Sequence, residues 1–205
     1  MGREISTKVV FLVEGKDEKN FIESLLMHME YNEELYMVVD GGGKDNLSNK
    51  LRTLTKTSGF DGVRSLGIIR DADDNASGAF HSVHTALLGA ELPAPNEPLT
   101  VAGDINELRT AIYIMPNGRS SSGNLESLCL QALRSSSSHV PITSCAEDYF
   151  NCISIPAGDK ALVQVVFSAF ERPVPNAGLA AKRGYIPFDS SVFDELKTFL
   201  AVLFE

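Results

Sequence analysis

The sequence predicts an α/β protein with a mostly parallel sheet of about four strands between helices, followed by a helical C-terminal extension. Two observations support this fold class. Runs of Val, Ile and Leu with little alternation, as in Lys8–Val13 and Ser65–Ile69, are typical of strands that are buried on both faces. Segments with apolar residues at helical spacing separate these runs, and this alternation favours a parallel sheet with right-handed crossovers.

The same patterns place the other elements along the chain. Strands are predicted at Tyr36–Val39, Leu99–Ala102 and Thr110–Met115, and helices after Gly15, at 45–57, at Ala76–Ala90 and at Leu125–Leu133. Further helices are predicted at Cys145–Ile153, Asp159–Phe170 and Ser190–Phe204, and Pro173–Phe188 is predicted to be irregular because it is rich in Pro and Gly. Residues 1–134 would then form the α/β domain, and residues 135–205 a helical extension packed on it.

Composition and charge limit the classes of function. The 205 residues are 43% hydrophobic and 22% charged, as in an ordinary soluble domain. The formal net charge of −9 argues against a protein that coats nucleic acid by bulk charge, although a local site with a bound metal ion is compatible with it. Three cysteines without paired spacing and no signal-like segment favour reduced thiols in the cytoplasm. No apolar run approaches the roughly 20 residues that span a bilayer, so no membrane association is expected.

Two carboxylates follow the apolar run at Ser65–Ile69. Asp71 and Asp73 are one residue apart, so an extended or gently turning backbone can aim both at one point. Such a pair repels itself unless a proton or a cation lies between the two groups. Mg²⁺ prefers carboxylate oxygens, and the carboxyl ends of parallel strands are where ligands bind, so a metal site is predicted here.

Two further acids follow the first strand. Glu14 comes directly after Lys8–Val13, where a carboxylate is costly to bury without a partner. Glu18 would lie in the first turn of the next helix, and so would Glu126 in the helix that begins at Leu125. The helix dipole favours an acid in a first turn, which is a sufficient explanation for Glu18 and an alternative to a functional role for Glu126.

Two other motifs are weaker. The turn Asp40-Gly41-Gly42-Gly43-Lys44 allows close approach of an anion to the backbone, but it matches neither a Walker A loop nor a dinucleotide-binding loop. A plain strand-to-helix turn is the preferred interpretation. His81 and His84 lie on one helix face without a third ligand nearby, which disfavours a metal site there.

The acids carry a resemblance to the Toprim domain. Val13-Glu14-Gly15, followed later by Ile69-Arg70-Asp71-Ala72-Asp73, looks like the signature of that domain. Toprim domains occur in topoisomerases of types IA and II, bacterial primases, RNA-maturation nucleases and OLD (overcoming lysogenization defect) nucleases. The resemblance implies a Toprim-like sheet between helices, a Glu that acts as acid, base or metal ligand, and a D-x-D pair that binds Mg²⁺.

The resemblance extends to particular positions. Glu14 matches the Toprim Glu, and Asp71 and Asp73 match the D-x-D pair. Glu18 matches a second acid of OLD-type members, and Glu126 resembles an acid that those members have in an L-E-x-L context. Lys160 resembles the lysine that OLD-type nucleases bring to the scissile phosphate, although a solvated lysine at a helix start explains it equally.

The match covers roughly residues 8–130, and the rest of the chain is similar to small stand-alone bacterial Toprim-like proteins of unknown function. The sequence has no Walker A loop of an OLD-type ATPase, no zinc-binding region of a primase and no room for the breakage-reunion domain of a topoisomerase. The metal site is therefore the part of these proteins that the chain shares.

The resemblance implies a Mg²⁺- or Mn²⁺-dependent hydrolase that cleaves phosphodiester bonds of DNA or RNA. The alternative is a module of a defence or DNA-repair assembly, either non-catalytic or dependent on a partner protein for activity. A haloacid-dehalogenase-type phosphatase or a receiver domain is disfavoured, because both need the aspartate after the first strand. Three unrelated acids on an α/β domain remain a further interpretation, and the sequence leaves the oligomeric state open.

Overall fold

The computed structural model describes residues 4–104, 106–118 and 122–205. Five strands form one sheet: β1 (Val9–Val13), β2 (Tyr36–Asp40), β3 (Ser65–Asp71), β4 (Val101–Ala102) and β5 (Arg109–Met115). Their order is β2-β1-β3-β5-β4, and all neighbours are parallel except β4, which pairs antiparallel with β5. The predicted α/β class with a mostly parallel sheet is confirmed, and the strand predicted at Leu99–Ala102 is the two-residue edge strand β4.

Helices connect and follow the strands. In the described residues they are α1 (Lys16–His28), α2 (Leu47–Leu54), α3 (Ala76–Gly89), α4 (Leu125–Ser135), α5 (Val140–Cys152), α6 (Asp159–Ser168), α7 (Ala177–Lys182) and α8 (Asp194–Val202). None of the helices within the described ranges is long and apolar enough to cross a lipid bilayer.

Two boundaries in the C-terminal third differ from the prediction. The stretch predicted to be irregular, Pro173–Phe188, contains α7, which the Asn176 side chain caps by accepting a hydrogen bond from the Leu179 N–H. The Ala-rich segment between Pro175 and Gly184 is long enough for a short helix. The Pro and Gly content of the whole stretch favoured irregular structure, so this helix was not predicted. Helix α5 begins five residues earlier than predicted, because a proline in the first turn costs no internal hydrogen bond.

The sheet is covered on both faces. On one face α2 and α3 pack on the sheet through a core that includes Leu51, Val83 and Ile112. On the other face α1 and α4–α8 build a second, larger core that includes Phe21 and Phe167. Every residue of β1 is buried, as expected for a central parallel strand with helices on both sides.

The C-terminal residues belong to the larger core. Phe188 and Phe193 contact Phe21 of α1 with ring centroids 5.3 and 5.8 Å apart. Leu203, just after α8, lies directly over Gly67 in the middle of β3. Burial of this aromatic and aliphatic surface fixes the last helices on the sheet. The boundary at residues 134 and 135 between a domain and an extension stays a prediction.

Replacement of Gly67 by alanine is expected to lower the free energy of unfolding by about 1–3 kcal/mol, the usual cost of overpacking a core. A Cβ atom there would lie 2.7 Å from Leu203 Cδ1 and 2.8 Å from Phe11 Cδ1. Urea unfolding of Gly67→Ala measures the effect. The control is Gly62→Ala, because a Cβ atom at Gly62 meets nothing within 4 Å. Equal stabilities of the two variants would contradict this account of how α8 docks.

Candidate functional site

The candidate site lies at the carboxyl edge of the sheet, where β1 and β3 end side by side. These strands are parallel neighbours, with Val13 opposite Ile69. Glu14 therefore leaves β1 at the same edge at which Asp71 ends β3. The sequence could not establish that these two strands are adjacent, and their adjacency is what brings the two acidic motifs together.

Asp71 is the centre of the site. Its Oδ1 atom accepts a hydrogen bond of 3.1 Å from the backbone N–H of Leu125, the first residue of α4. The pKa of Asp71 is raised to about 8, mainly because the carboxyl is buried. The charges of four nearby carboxylates raise it further, and these are Glu18, Glu14, Glu126 and Asp73. The site is thus a cluster of acids that oppose one another's ionisation.

Glu14 is paired with Arg70, the residue before Asp71. Arg70 Nε lies 3.7 Å from Glu14 Oε2, and the two side chains are only 14% and 17% exposed, respectively. Neither of these two atoms has a hydrogen-bond partner among the described residues. Burial raises the pKa of Glu14, while the Arg70 guanidinium lowers it. Buried polar atoms without partners are unusual, and such atoms are available to a ligand.

Two acids of α1 enter the same cluster. Burial raises the pKa of Glu18 to about 7, and the charges of Asp17, Glu14 and Glu126 add to the rise. The position of Glu18 in a first helical turn therefore does not by itself account for its electrostatic environment. Burial also raises the pKa of Asp17, whose Oδ1 atom accepts a hydrogen bond of 3.1 Å from the Gly178 N–H at the start of α7.

Sequence reasoning missed Asp17. Its position beside Glu18 in the first turn of α1 was a signal, but an acid in a first turn is so common that it carries little information. Its partner Gly178 lies 161 residues further along the chain, in the stretch predicted to be irregular. No local pattern could have connected the two residues.

Asp73 lies at the exposed rim of the site. Its backbone adopts a φ of +48°, which is uncommon for a residue other than glycine. Its Oδ2 atom is 3.0 Å from Lys44 Nζ, and its carbonyl oxygen accepts a hydrogen bond of 2.7 Å from the Gly123 N–H. The glycine-rich turn before Lys44 therefore contributes a lysine to the site.

Glu126 and Lys160 complete the set of predicted residues. Both lie in first helical turns, Glu126 in α4 and Lys160 in α6. Both act on Asp17, whose pKa the charge of Glu126 raises and that of Lys160 lowers. Five predicted site residues, Glu14, Glu18, Asp71, Asp73 and Glu126, thus lie in one electrostatic neighbourhood, to which Lys160 is linked only through Asp17.

The carboxylates of the site suit a divalent cation in their chemistry but not in their present positions. Within the described ranges, no three Asp, Glu, His or Cys side chains stand in positions that could hold a metal ion. The donors nevertheless fit Mg²⁺ or Mn²⁺ in chemistry, because they are carboxylates with raised pKa values that a cation would relieve. Binding would require rotation of these side chains toward one another and release of Asp73 from Lys44.

Comparisons with known proteins give the following relatives. Residues 8–205 match the model of a family described as a protein of unknown function (DUF3226). No curated protein matches the sequence. Among solved structures, the C-terminal region of the Burkholderia pseudomallei OLD protein aligns with 97% of this chain and 100% of its own, at 13% identity and a TM-score of 0.49. None of these comparisons names a Toprim domain, so the Toprim assignment stays a prediction.

Replacement of Asp71 by asparagine is expected to stabilise the metal-free protein at pH 8, by an amount on the order of 2 kcal/mol. The carboxyl has a raised pKa in the folded protein, so the folded state binds the proton more tightly than the unfolded state. Its contribution to stability is then complete below pH 4 and is lost as the pH rises toward 8. Asparagine keeps an oxygen for the Leu125 N–H but carries no charge.

Thermal melts in EDTA between pH 5 and pH 8 measure this effect. The melting temperature of the wild type should fall across this range more than that of Asp71→Asn. Asp61→Asn is the control, because Asp61 is exposed in the turn before β3 and lies outside the cluster. A parallel fall in wild type and Asp71→Asn would show that Asp71 is not held neutral by its surroundings.

Proposed function

The chain belongs to the family described as a protein of unknown function (DUF3226), and from its site we propose a Mg²⁺- or Mn²⁺-dependent hydrolase of phosphodiester bonds in nucleic acid. One observation carries the proposal: carboxylates from the ends of the adjacent strands β1 and β3 lie around the half-buried Asp71 and raise its pKa. The Toprim resemblance of the same acids implies the same chemistry. The cation would be held by Glu14, Asp71 and Asp73, with Glu18 or Glu126 contributing to a second position.

Different side chains of the site suit different roles in such a reaction. A bound divalent cation supplies the Lewis-acid charge that favours attack by water and departure of the leaving oxygen. Glu14 has a raised pKa and is partly exposed to solvent, so it suits the transfer of a proton to or from water. Arg70 fixes the position of the Glu14 carboxylate through their ion pair.

Two lysines suit the phosphate. Lys44 is exposed at the rim beside Asp73, and Lys160 is exposed in the first turn of α6 near Asp17. Their ammonium groups can neutralise charge that develops on the phosphate oxygens in the transition state. If Asp73 held a cation instead, Lys44 would lose its present partner and would be available to the substrate.

The first experiment is a cleavage assay with Mn²⁺ and labelled single-stranded DNA, duplex DNA and RNA. Asp71→Asn and Glu14→Gln should each lower the cleavage rate by on the order of a hundredfold or more, because each removes a charge needed to hold the cation or to move a proton. Asp61→Asn should cleave at the wild-type rate. Retained cleavage by a folded Asp71→Asn protein would rule out this site.

Calorimetric titration with Mn²⁺ in parallel separates the proposal from its alternative. Binding of Mn²⁺ that disappears in Asp71→Asn, without cleavage of any nucleic acid, would identify a metal-binding module whose activity requires a partner protein. Absence of binding and of cleavage in the wild type would contradict both.

Replacement of Lys44 by glutamine is expected to tighten Mn²⁺ binding roughly two- to fivefold while slowing cleavage. The Lys44 ammonium competes with a cation for Asp73, and its removal also lowers the positive charge at the site. Calorimetry gives the affinity, and the cleavage assay gives the rate at saturating Mn²⁺. Unchanged affinity would mean that Asp73 does not bind the cation.

A further inference from the structure

The two helices that cover one face of the sheet contain no acidic residue. This holds for α2 and for α3, although the whole chain has 27 Asp and Glu residues and a net charge of −9. Helix α2 carries Lys50 and Arg52, and Lys56 follows shortly after its end. By contrast, α1 on the opposite face carries three acids beside two lysines. The helices on the two faces of the sheet therefore differ in their acidic residues.

A groove of about 480 Å³ lies between α2 and α3. Its polar lining consists of Ser48, Arg52, His81, Ser82 and Thr85. The remaining wall is made of small residues, Gly78, Ala86 and Gly89. Hydroxyl groups and a guanidinium donate hydrogen bonds to phosphate oxygens, and small residues let a polymer backbone approach the helices closely.

The basic residues of this face are uncompensated. Lys50, Arg52 and Lys56 form no ion pair with any residue in the described ranges. Arg52 lines the groove, and Lys56 lies four residues later in the turn that follows α2. Several charges without ion-pair partners along one segment favour an extended polyanion over a single small anion.

The two helices that form the groove begin beside the candidate site. Lys44 precedes α2, Asp73 precedes α3, and these two residues are in contact at the carboxyl edge of the sheet. Both helices run away from that edge, and the segment of α3 from Gly78 to Gly89 spans about 17 Å at 1.5 Å per residue. A polymer with one phosphate at the acids can thus place several neighbouring phosphates along the groove.

We propose that the groove between α2 and α3 binds the sugar-phosphate backbone of the nucleic acid that the acidic site cleaves. The inference rests on the proposed function for the choice of polyanion, and it explains how a chain of net charge −9 can hold such a substrate. Contacts with phosphate groups carry no base information, so binding is independent of sequence and weakens steeply as salt is added.

Fluorescence anisotropy in EDTA, which prevents cleavage, tests the proposal with fluorescein-labelled single-stranded and duplex oligonucleotides. The variant is Arg52→Gln/Lys56→Gln, in which both replaced side chains are exposed. The matched control is Arg172→Gln/Arg183→Gln, which removes two exposed charges near α7 that have no ion-pair partner in the part of the chain that the structure describes. Thermal melts establish that each variant is folded.

The groove variant should bind on the order of tenfold more weakly than the wild type, and the control should bind like the wild type. The slope of log K against log salt should fall by about 1.4 for a single strand and about 1.8 for a duplex, which corresponds to two lost phosphate contacts. Equal binding by the groove variant and the wild type would overturn the proposal, as would equal weakening of both variants or no binding by the wild type.

Two additional measurements distinguish a nucleic-acid groove from a docking site for an acidic protein surface, and from the proposed hydrolase activity. If polyglutamate of equal charge displaces the oligonucleotide as well as unlabelled DNA does, the face fits an acidic protein surface and the proposal fails. The cleavage assay with Mn²⁺ then reports on the proposed function. If binding depends on the groove but no nucleic acid is cleaved, the proposed binding groove is supported and the proposed hydrolase activity is contradicted. If the groove variant cleaves at the wild-type rate, only the proposed binding groove is contradicted.

Discussion

The parallel pairing of β1 with β3 is the constraint on which the site depends. It sets the end of one strand beside the end of the other, and so brings Glu14 next to Arg70 and Asp71. The strands are buried, so the acids that follow them are held at the boundary between a dry core and solvent. A negative charge at that boundary is poorly solvated and has a higher free energy than in water. The pKa values of Glu14, Glu18 and Asp71 are raised mainly for this reason.

The later part of the chain holds these acids in place. The N–H of Leu125 binds Asp71, and the N–H of Gly178 binds Asp17, so the starts of α4 and α7 both point at carboxylates from the first half of the sequence. Helix N-termini stabilise negative charge, which offsets part of the cost of burying these groups. Helices α4 and α7 are therefore part of the site as well as of the core.

Much of the fold and part of the site could be read from local patterns. The buried strands, the acids at the ends of β1 and β3, and the helices that follow them are encoded in short stretches of sequence, and the structure places them as predicted. Strand adjacency, the Asp17–Gly178 contact and the Lys44–Asp73 ion pair are long-range, and no periodicity encodes them. Helix α7 was missed because prolines and a glycine at its flanks outweighed its own alanines. The absence of acidic residues from both α2 and α3 was not recognised. The two helices are separated in sequence by β3, and the lack of acids in either one alone is not unusual.

The acids of the helices are unevenly placed across the sheet, and such an asymmetry acts at a distance. The side of α2 and α3 carries the bases of α2 without a helical acid, and the other side carries the three acids of α1 beside two lysines. In the field of any extended polyanion such a body is turned before it makes contact, so collisions that begin with the wrong side are repelled. A protein with an overall charge of the wrong sign can in this way still select the orientation in which it arrives.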